Sequence, residues 1–203
     1  MLAVKPQSMD AVLPDLKRFA DEGSVFLSIA AGKTLKYFAS HLGSTAKVVR
    51  AMPNTPAAIG RGITVAVAAP RVSAAQRTVA DALLRATGAV EWVDEESLMD
   101  AVTAVSGSGP AYVFLLAEEL ARAGVAAGLP DELATKLARA TVAGSGELLH
   151  RSELDAATLR QNVTSPGGTT AAALDVLMGT DGLKQLMTRA VAAATARSKE
   201  LAK

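Results

Sequence analysis

The sequence predicts an α/β first half, residues 1–96, followed by an all-helical second half, residues 97–203. Three observations predict it. Short apolar runs alternate with helically spaced ones up to about residue 96, and no strand-like run follows. Those first-half runs are apolar throughout instead of alternating with polar residues, which points to a largely parallel sheet covered on both faces. The chain is 50% hydrophobic yet only 3% aromatic, so its core has to be built from Ala, Val and Leu.

The elements follow in order. Residues 2–4 form a short strand candidate ended by Pro6, and residues 8–21 carry Met9, Val12, Leu13, Leu16 and Phe19 at helical spacing. Residues 25–29 are a continuous apolar strand and 33–41 a short helix. Residues 48–52 are a strand stopped by Pro53-Asn54-Thr55-Pro56, which can continue neither a helix nor a central strand. A further strand is expected over 63–69, a helix over 73–87 ending at Gly88, and a last strand over 89–93. Residues 97–105 read as helical, kinked by Ser106-Gly107-Ser108-Gly109-Pro110. Residues 111–127 are apolar almost all round and should be buried. Asp131 opens a helix with Leu133, Leu137, Ala140, Gly144 and Leu148 on one face, and helices over 166–178 and 182–201 complete the chain. These small-residue helices exceed what one small domain buries alone, so packing between subunits is expected.

Charge and composition exclude several classes. With 21 basic and 20 acidic residues there is no electrostatic case for nucleic acid or an anionic membrane. The absence of cysteine excludes disulfides, iron–sulfur clusters and thiol catalysis, and is compatible with a reducing cytoplasm. His41 and His150 are far apart in sequence and suggest no metal site. The first residues do not resemble a signal peptide, and no apolar run approaches the ~18 residues of a membrane span. A cytoplasmic protein is the expectation.

The stretch Gln161-Asn162-Val163-Thr164-Ser165-Pro166-Gly167-Gly168-Thr169-Thr170 is the most informative in the chain. It reads as a helix start built to hold a small anion, with Ser165 as N-cap and Pro166 in the first helical position. Two glycines in the first turn let a ligand approach the free N–H groups, which with the helix dipole favour a carboxylate or phosphate. The plainer reading is a capped surface helix with two tolerated glycines.

In chain order, Ala3-Val4-Lys5-Pro6, then Arg50-Ala51-Met52-Pro53-Asn54-Thr55-Pro56, then Ser106-Gly107-Ser108-Gly109-Pro110-Ala111-Tyr112, then Ser165-Pro166-Gly167-Gly168-Thr169-Thr170 closely resemble the pyrroline-5-carboxylate reductase family. The resemblance runs from residue 1 to about 200. It implies an incomplete α/β Rossmann-like nucleotide-binding domain over 1–96 and an all-α dimerisation and substrate domain over 97–203. It further implies a homodimer, possible higher assembly, and reduction of 1-pyrroline-5-carboxylate to L-proline with NADPH or NADH. Carried over by motif, Asn162, Ser165, Gly168, Thr169 and Thr170 would form the substrate pocket, with the Thr170 hydroxyl facing the ring nitrogen as the catalytic group. Glu96 would be a neighbour of that pocket. Ala3, Val4, Lys5, Pro6, Ile29, Ala30, Ala31 and Asn54 would lie along the nicotinamide end of the cofactor. Plainer readings stand beside these: Lys5 as a solvated strand-end charge, the Ser106–Pro110 glycines as a helix kink and packing point, and His150 as a residue favouring its helix C-terminus.

The sequence departs from the family at one place. No strand, Gly-x-Gly-x-x-Gly turn and helix precede Ala3, so no pyrophosphate cradle is expected from these residues. Gly60-Arg61-Gly62 and Gly107-Ser108-Gly109 lie in the wrong context to replace it. The strand at residues 2–4 should then have an apolar edge open to pairing. A non-catalytic reading is therefore set beside the reductase: a helical dimerisation module holding a proline-like ligand.

Overall fold

The computed structural model describes residues 1–202. The chain divides into two compact units, one of Met1–Pro110 with the stretch from Val191 on, the other of Ala111–Ala190.

The first unit is built on a four-stranded sheet in sequential order: β1 (Val25–Ser28), β2 (Lys47–Met52), β3 (Gly62–Ala68) and β4 (Gly88–Trp92). β1 and β2 pair in parallel, as do β3 and β4, but β2 and β3 are antiparallel. Only a 3₁₀ turn, Thr55–Ile59, separates β2 from β3. A parallel return would need a crossover of a dozen residues or more, so the chain reverses instead. The strand expected over residues 2–4 reduces to a single parallel bridge, Leu2 to Ser28. Leu2 donates its N–H to the Leu27 carbonyl at 2.7 Å and accepts from the Ile29 N–H at 3.1 Å.

Strand residues alternate between two packed faces, as the pleat requires. Phe26 and Val48 meet α1 (Met9–Asp21) and α2 (Leu35–Leu42) in a cluster with Met9, Leu13, Phe38 and Leu42. Leu27, Val49, Ala51 and Ala66 meet α3 (Ala74–Arg85) through Ala80 and Leu84. Ser73 begins α3 with a complete capping box to Gln76. After β4 the 3₁₀ turn Glu96–Leu98 leads into α4 (Met99–Val102), whose fully buried Met99 packs on Val65 and Val67. The kink expected at the serine–glycine run is a π-helical turn over Thr103–Gly107.

The second unit contains α5 (Gly109–Ala126, from Ala111 on), α6 (Asp131–Arg151), α7 (Ala156–Asn162), α8 (Thr169–Leu177) and the start of α9 (Leu183–Leu201). α7 has no counterpart among the expected helices. Asp155 caps it by accepting the Thr158 N–H at 2.7 Å. The burial expected for residues 111–127 is not supplied within one chain: α5 has no buried residue, and Phe114 is 66% exposed. Leu115, Leu116 and Leu120 are exposed with it, as are Leu133 and Leu137 of α6 and Val176 of α8.

Candidate active site

In the first unit, three parallel segments end side by side: the Leu2 bridge, β1 and β2. The carboxyl ends of parallel strands are where open α/β sheets place their ligands. Ala3, Val4, Lys5 and Pro6 follow the first end, Ile29, Ala30 and Ala31 the second, and Asn54 the third, so the fold brings together all the residues expected at the nicotinamide. Ala3, Val4, Lys5 and Ala31 are exposed, Ile29 and Asn54 half-buried, and Ala30 buried. A cleft of about 470 Å³ opens here, lined by Pro6, Gln7, Ala31, Gly32, Lys33 and Thr103 among others. The sequence reading missed Gln7, Gly32 and Lys33, although Ala30-Ala31-Gly32 after an apolar strand was a visible signal of close approach. Gly32 sits at φ +74°, and a Cβ there would stand 3.1 Å from the Leu201 carbonyl oxygen. Asn54 spends its side-chain oxygen on the Ile63 N–H at 3.0 Å, pinning the β2 end to the start of β3.

Glu96, expected as a neighbour of the substrate pocket, lies in this same unit. Its Oε1 accepts from the Leu35 N–H and from Arg50 Nη1, each at 2.8 Å. The Arg50 side chain is 6% exposed.

In the second unit, Asn162 closes α7, and the chain turns into α8 over Val163 to Gly168. Here the structure corrects the expected helix start. Ser165 is not the N-cap and Pro166 is not in the helix; Gly168 is the N-cap and Thr169 the first helical residue. Ser165-Pro166-Gly167-Gly168 is instead a tight turn, closed by the Gly168 N–H donating to the Ser165 carbonyl at 3.0 Å. Proline second and a glycine third at φ +70° mark a type II turn. A Ser-Pro pair suits either arrangement, but the left-handed Gly167 cannot continue a helix.

The turn changes which N–H groups are free. That of Gly168 is used within the turn. In a helix capped by Gly168 with no side-chain cap, those of Thr169, Thr170 and Ala171 have no partner in the helix, while Ala172 donates to the Gly168 carbonyl at 3.2 Å. Three N–H groups and the helix dipole thus face the end of α8, flanked by the exposed Ser165 and half-buried Thr170. The Thr164 hydroxyl is turned back onto the Arg160 carbonyl at 2.6 Å and is not part of this group.

Known proteins resemble the chain over its whole length. A family model described as pyrroline-5-carboxylate reductase dimerisation matches residues 96–201. The chain is 44% identical over its whole length to the pyrroline-5-carboxylate reductase of Pseudomonas aeruginosa and 47% identical to that of Synechocystis, covering 74% of each. A solved pyrroline-5-carboxylate reductase from Coxiella burnetii superposes with a TM-score of 0.93 at 40% identity, covering 100% of this chain and 75% of that one. The Plasmodium falciparum enzyme, solved with NADP bound, gives 0.85 at 34% identity, over 99% of this chain and 76% of that one. The chain belongs to the pyrroline-5-carboxylate reductase family.

Proposed function

We propose that the chain reduces 1-pyrroline-5-carboxylate to L-proline with NADPH or NADH, the last step of proline biosynthesis, as a cytoplasmic homodimer joined through its helical half. The observation that carries this reading is the turn at Ser165 to Gly168, which ends in three free N–H groups with a threonine hydroxyl beside them. That arrangement suits a small cyclic imine with a carboxylate. The exposed leucines and Phe114 of α5, with Leu133 and Leu137 of α6, supply the apolar surface a dimer needs.

Fit to a dinucleotide is supported at one end. The cleft of about 470 Å³ at the strand ends has Pro6, Ala31 and Gly32 in its lining and Ala194 and Leu201 of α9 across from them, which supports a ring seated there. The glycine turn that would cradle a pyrophosphate is not among residues 1–203.

The residues divide the work. The N–H groups of Thr169 and Thr170, with the Ser165 hydroxyl, hold the substrate carboxylate. Asn162, at the end of α7, borders the ring. The Thr170 hydroxyl holds the proton delivered to the ring nitrogen; an unperturbed hydroxyl is a poor acid, so it orients and relays. Ala3 to Pro6, Ile29 to Ala31 and Asn54 form the ledge for the nicotinamide. The reduced nicotinamide, when bound, supplies the hydride for the imine carbon. Neither a nucleophile nor a metal is required of the protein, only placement of one ring on another.

Oxidation of NADPH and NADH by the purified chain, with and without 1-pyrroline-5-carboxylate, tests the proposal. Substrate-dependent oxidation that falls about 5- to 150-fold in Thr170→Ala, the worth of one well-placed hydrogen bond, is expected. No substrate-dependent oxidation by folded protein would overturn it in favour of the ligand-binding module.

A further inference from the structure

The connection between β1 and α2, residues 29–34, carries much of the proposed nicotinamide ledge and is tethered at both ends. At the near end, fully buried Ser28 accepts the Ala30 N–H on its Oγ at 3.3 Å, and Leu2 accepts the Ile29 N–H. At the far end, the Leu35 N–H has no partner in its own helix, where Thr34 is the N-cap. It donates to Glu96 Oε1, a residue distant in sequence. The same oxygen is held by Arg50, which lies opposite Ser28 in the β1–β2 register and is almost wholly buried. A rigid strand therefore fixes a guanidinium, the guanidinium fixes a carboxylate, and the carboxylate fixes the loop's far end. The negative charge also sits favourably at the start of α2.

Resting on the proposed reaction, we infer that Glu96 and Arg50 are positioning residues for the nicotinamide ledge, acting through the 29–35 segment, and that Glu96 makes no contact with substrate. A carboxylate engaged on one oxygen by a buried cation and a backbone N–H is a structural tie. A ledge displaced by about 1 Å would cost on the order of 100-fold in rate, so the tie bears on chemistry it never touches.

Glu96→Gln keeps an oxygen for the Leu35 N–H but removes the charge that holds Arg50. The expected result is a 5- to 20-fold rise in KM for NADPH with KM for 1-pyrroline-5-carboxylate within twofold of wild type. Amide hydrogen exchange should quicken about tenfold or more in residues 29–35, with α6 to α8 unchanged. Arg50→Lys, which keeps the charge facing Glu96, should show both effects more weakly than Arg50→Met. Should Glu96→Gln not fold, Arg50→Met/Glu96→Gln removes the uncompensated buried charge and is measured in its place. A raised KM for 1-pyrroline-5-carboxylate with exchange at 29–35 unchanged would make Glu96 a substrate contact and overturn the inference. Faster exchange across the whole first unit, with both KM values raised and kcat lowered together, would also overturn it, as a merely structural role. The exchange measurement needs no turnover, so an inactive wild-type chain would defeat the proposed reaction while leaving this inference decided on its own evidence.

Discussion

Gly107 lies against Met52: a Cβ placed on Gly107 would stand 2.6 Å from the Met52 terminal methyl and 3.6 Å from the Thr103 Cγ2. The glycine of the Ser-Gly-Ser-Gly-Pro run thus lets a π-helical turn close onto the end of β2, two residues before Asn54. Here the plainer reading of that run, a kink and packing point, describes what the fold uses it for.

Substitution at Gly107 should accordingly be graded by bulk. Gly107→Ala meets only the movable end of a methionine and should destabilise by about 1 kcal/mol, while Gly107→Val should exceed about 3 kcal/mol. In a denaturant double-mutant cycle, Gly107→Ala with Met52→Ala should show a coupling of about 1 kcal/mol that relieves the single-site loss. Additive effects would mean that Met52 is not what the glycine accommodates.

A second prediction concerns pH. The Tyr37 hydroxyl on α2 donates to Asp10 on α1, while His41 Nε2 stands 3.5 Å from the same Asp10 oxygen and the Lys33 ammonium 4.0 Å from the Tyr37 ring centre. The Tyr37 hydrogen bond holds the Asp10 carboxyl below its ordinary 3.8, with Lys33 and His41 adding to it. Burial, with Asp10, pushes the Tyr37 phenol well above its ordinary 10.0. A lowered acid stabilises above its unfolded value and loses that as pH falls through the folded one; a raised phenol stabilises below its unfolded value and loses that as pH rises through the folded one. The pair therefore supports the fold between about pH 4 and pH 10. Melting of Tyr37→Phe against pH should show a smaller decline than wild type on both the acid and the alkaline side. An unchanged acid limb would show that Asp10 takes its shift from elsewhere.

Much of this molecule was legible because its signals are local. An apolar run stopped by Pro53-Asn54-Thr55-Pro56, or a helically spaced one stopped before Gly88, declares the end of an element without reference to anything distant. The reversal at β3 was not legible, because periodicity reports burial and not direction; only the shortness of residues 53–61 spoke for it. The start of α8 was placed three residues early because Ser-Pro satisfies both a helix cap and a type II turn, and the left-handed Gly167 decides between them. α7 is short, and its one signal was Asp155 three residues before Thr158. Least legible was the tie of Glu96 to Arg50 and Leu35, which joins residues far apart in sequence and is created only by folding. The burial expected of α5 is not found: none of its residues is buried in the single chain.

The last prediction separates turn from helix at the proposed substrate hook. Gly167 holds φ +70° with open space around the position a Cβ would take, so the cost of substitution there is conformational and not steric. Placing alanine in that backbone region costs about 1–2 kcal/mol, and the strain is relieved by opening the turn that sets Ser165 beside the first N–H groups of α8. Gly167→Ala should therefore raise KM for 1-pyrroline-5-carboxylate about 5- to 30-fold with KM for NADPH within twofold. Gly167→Asn should lie nearer wild type, because asparagine tolerates the left-handed region. The order Gly, Asn, Ala in substrate KM is the signature of a turn whose geometry positions the carboxylate site. Equal KM values across the three would place the carboxylate elsewhere, since a hook that does not depend on its turn is not built from it.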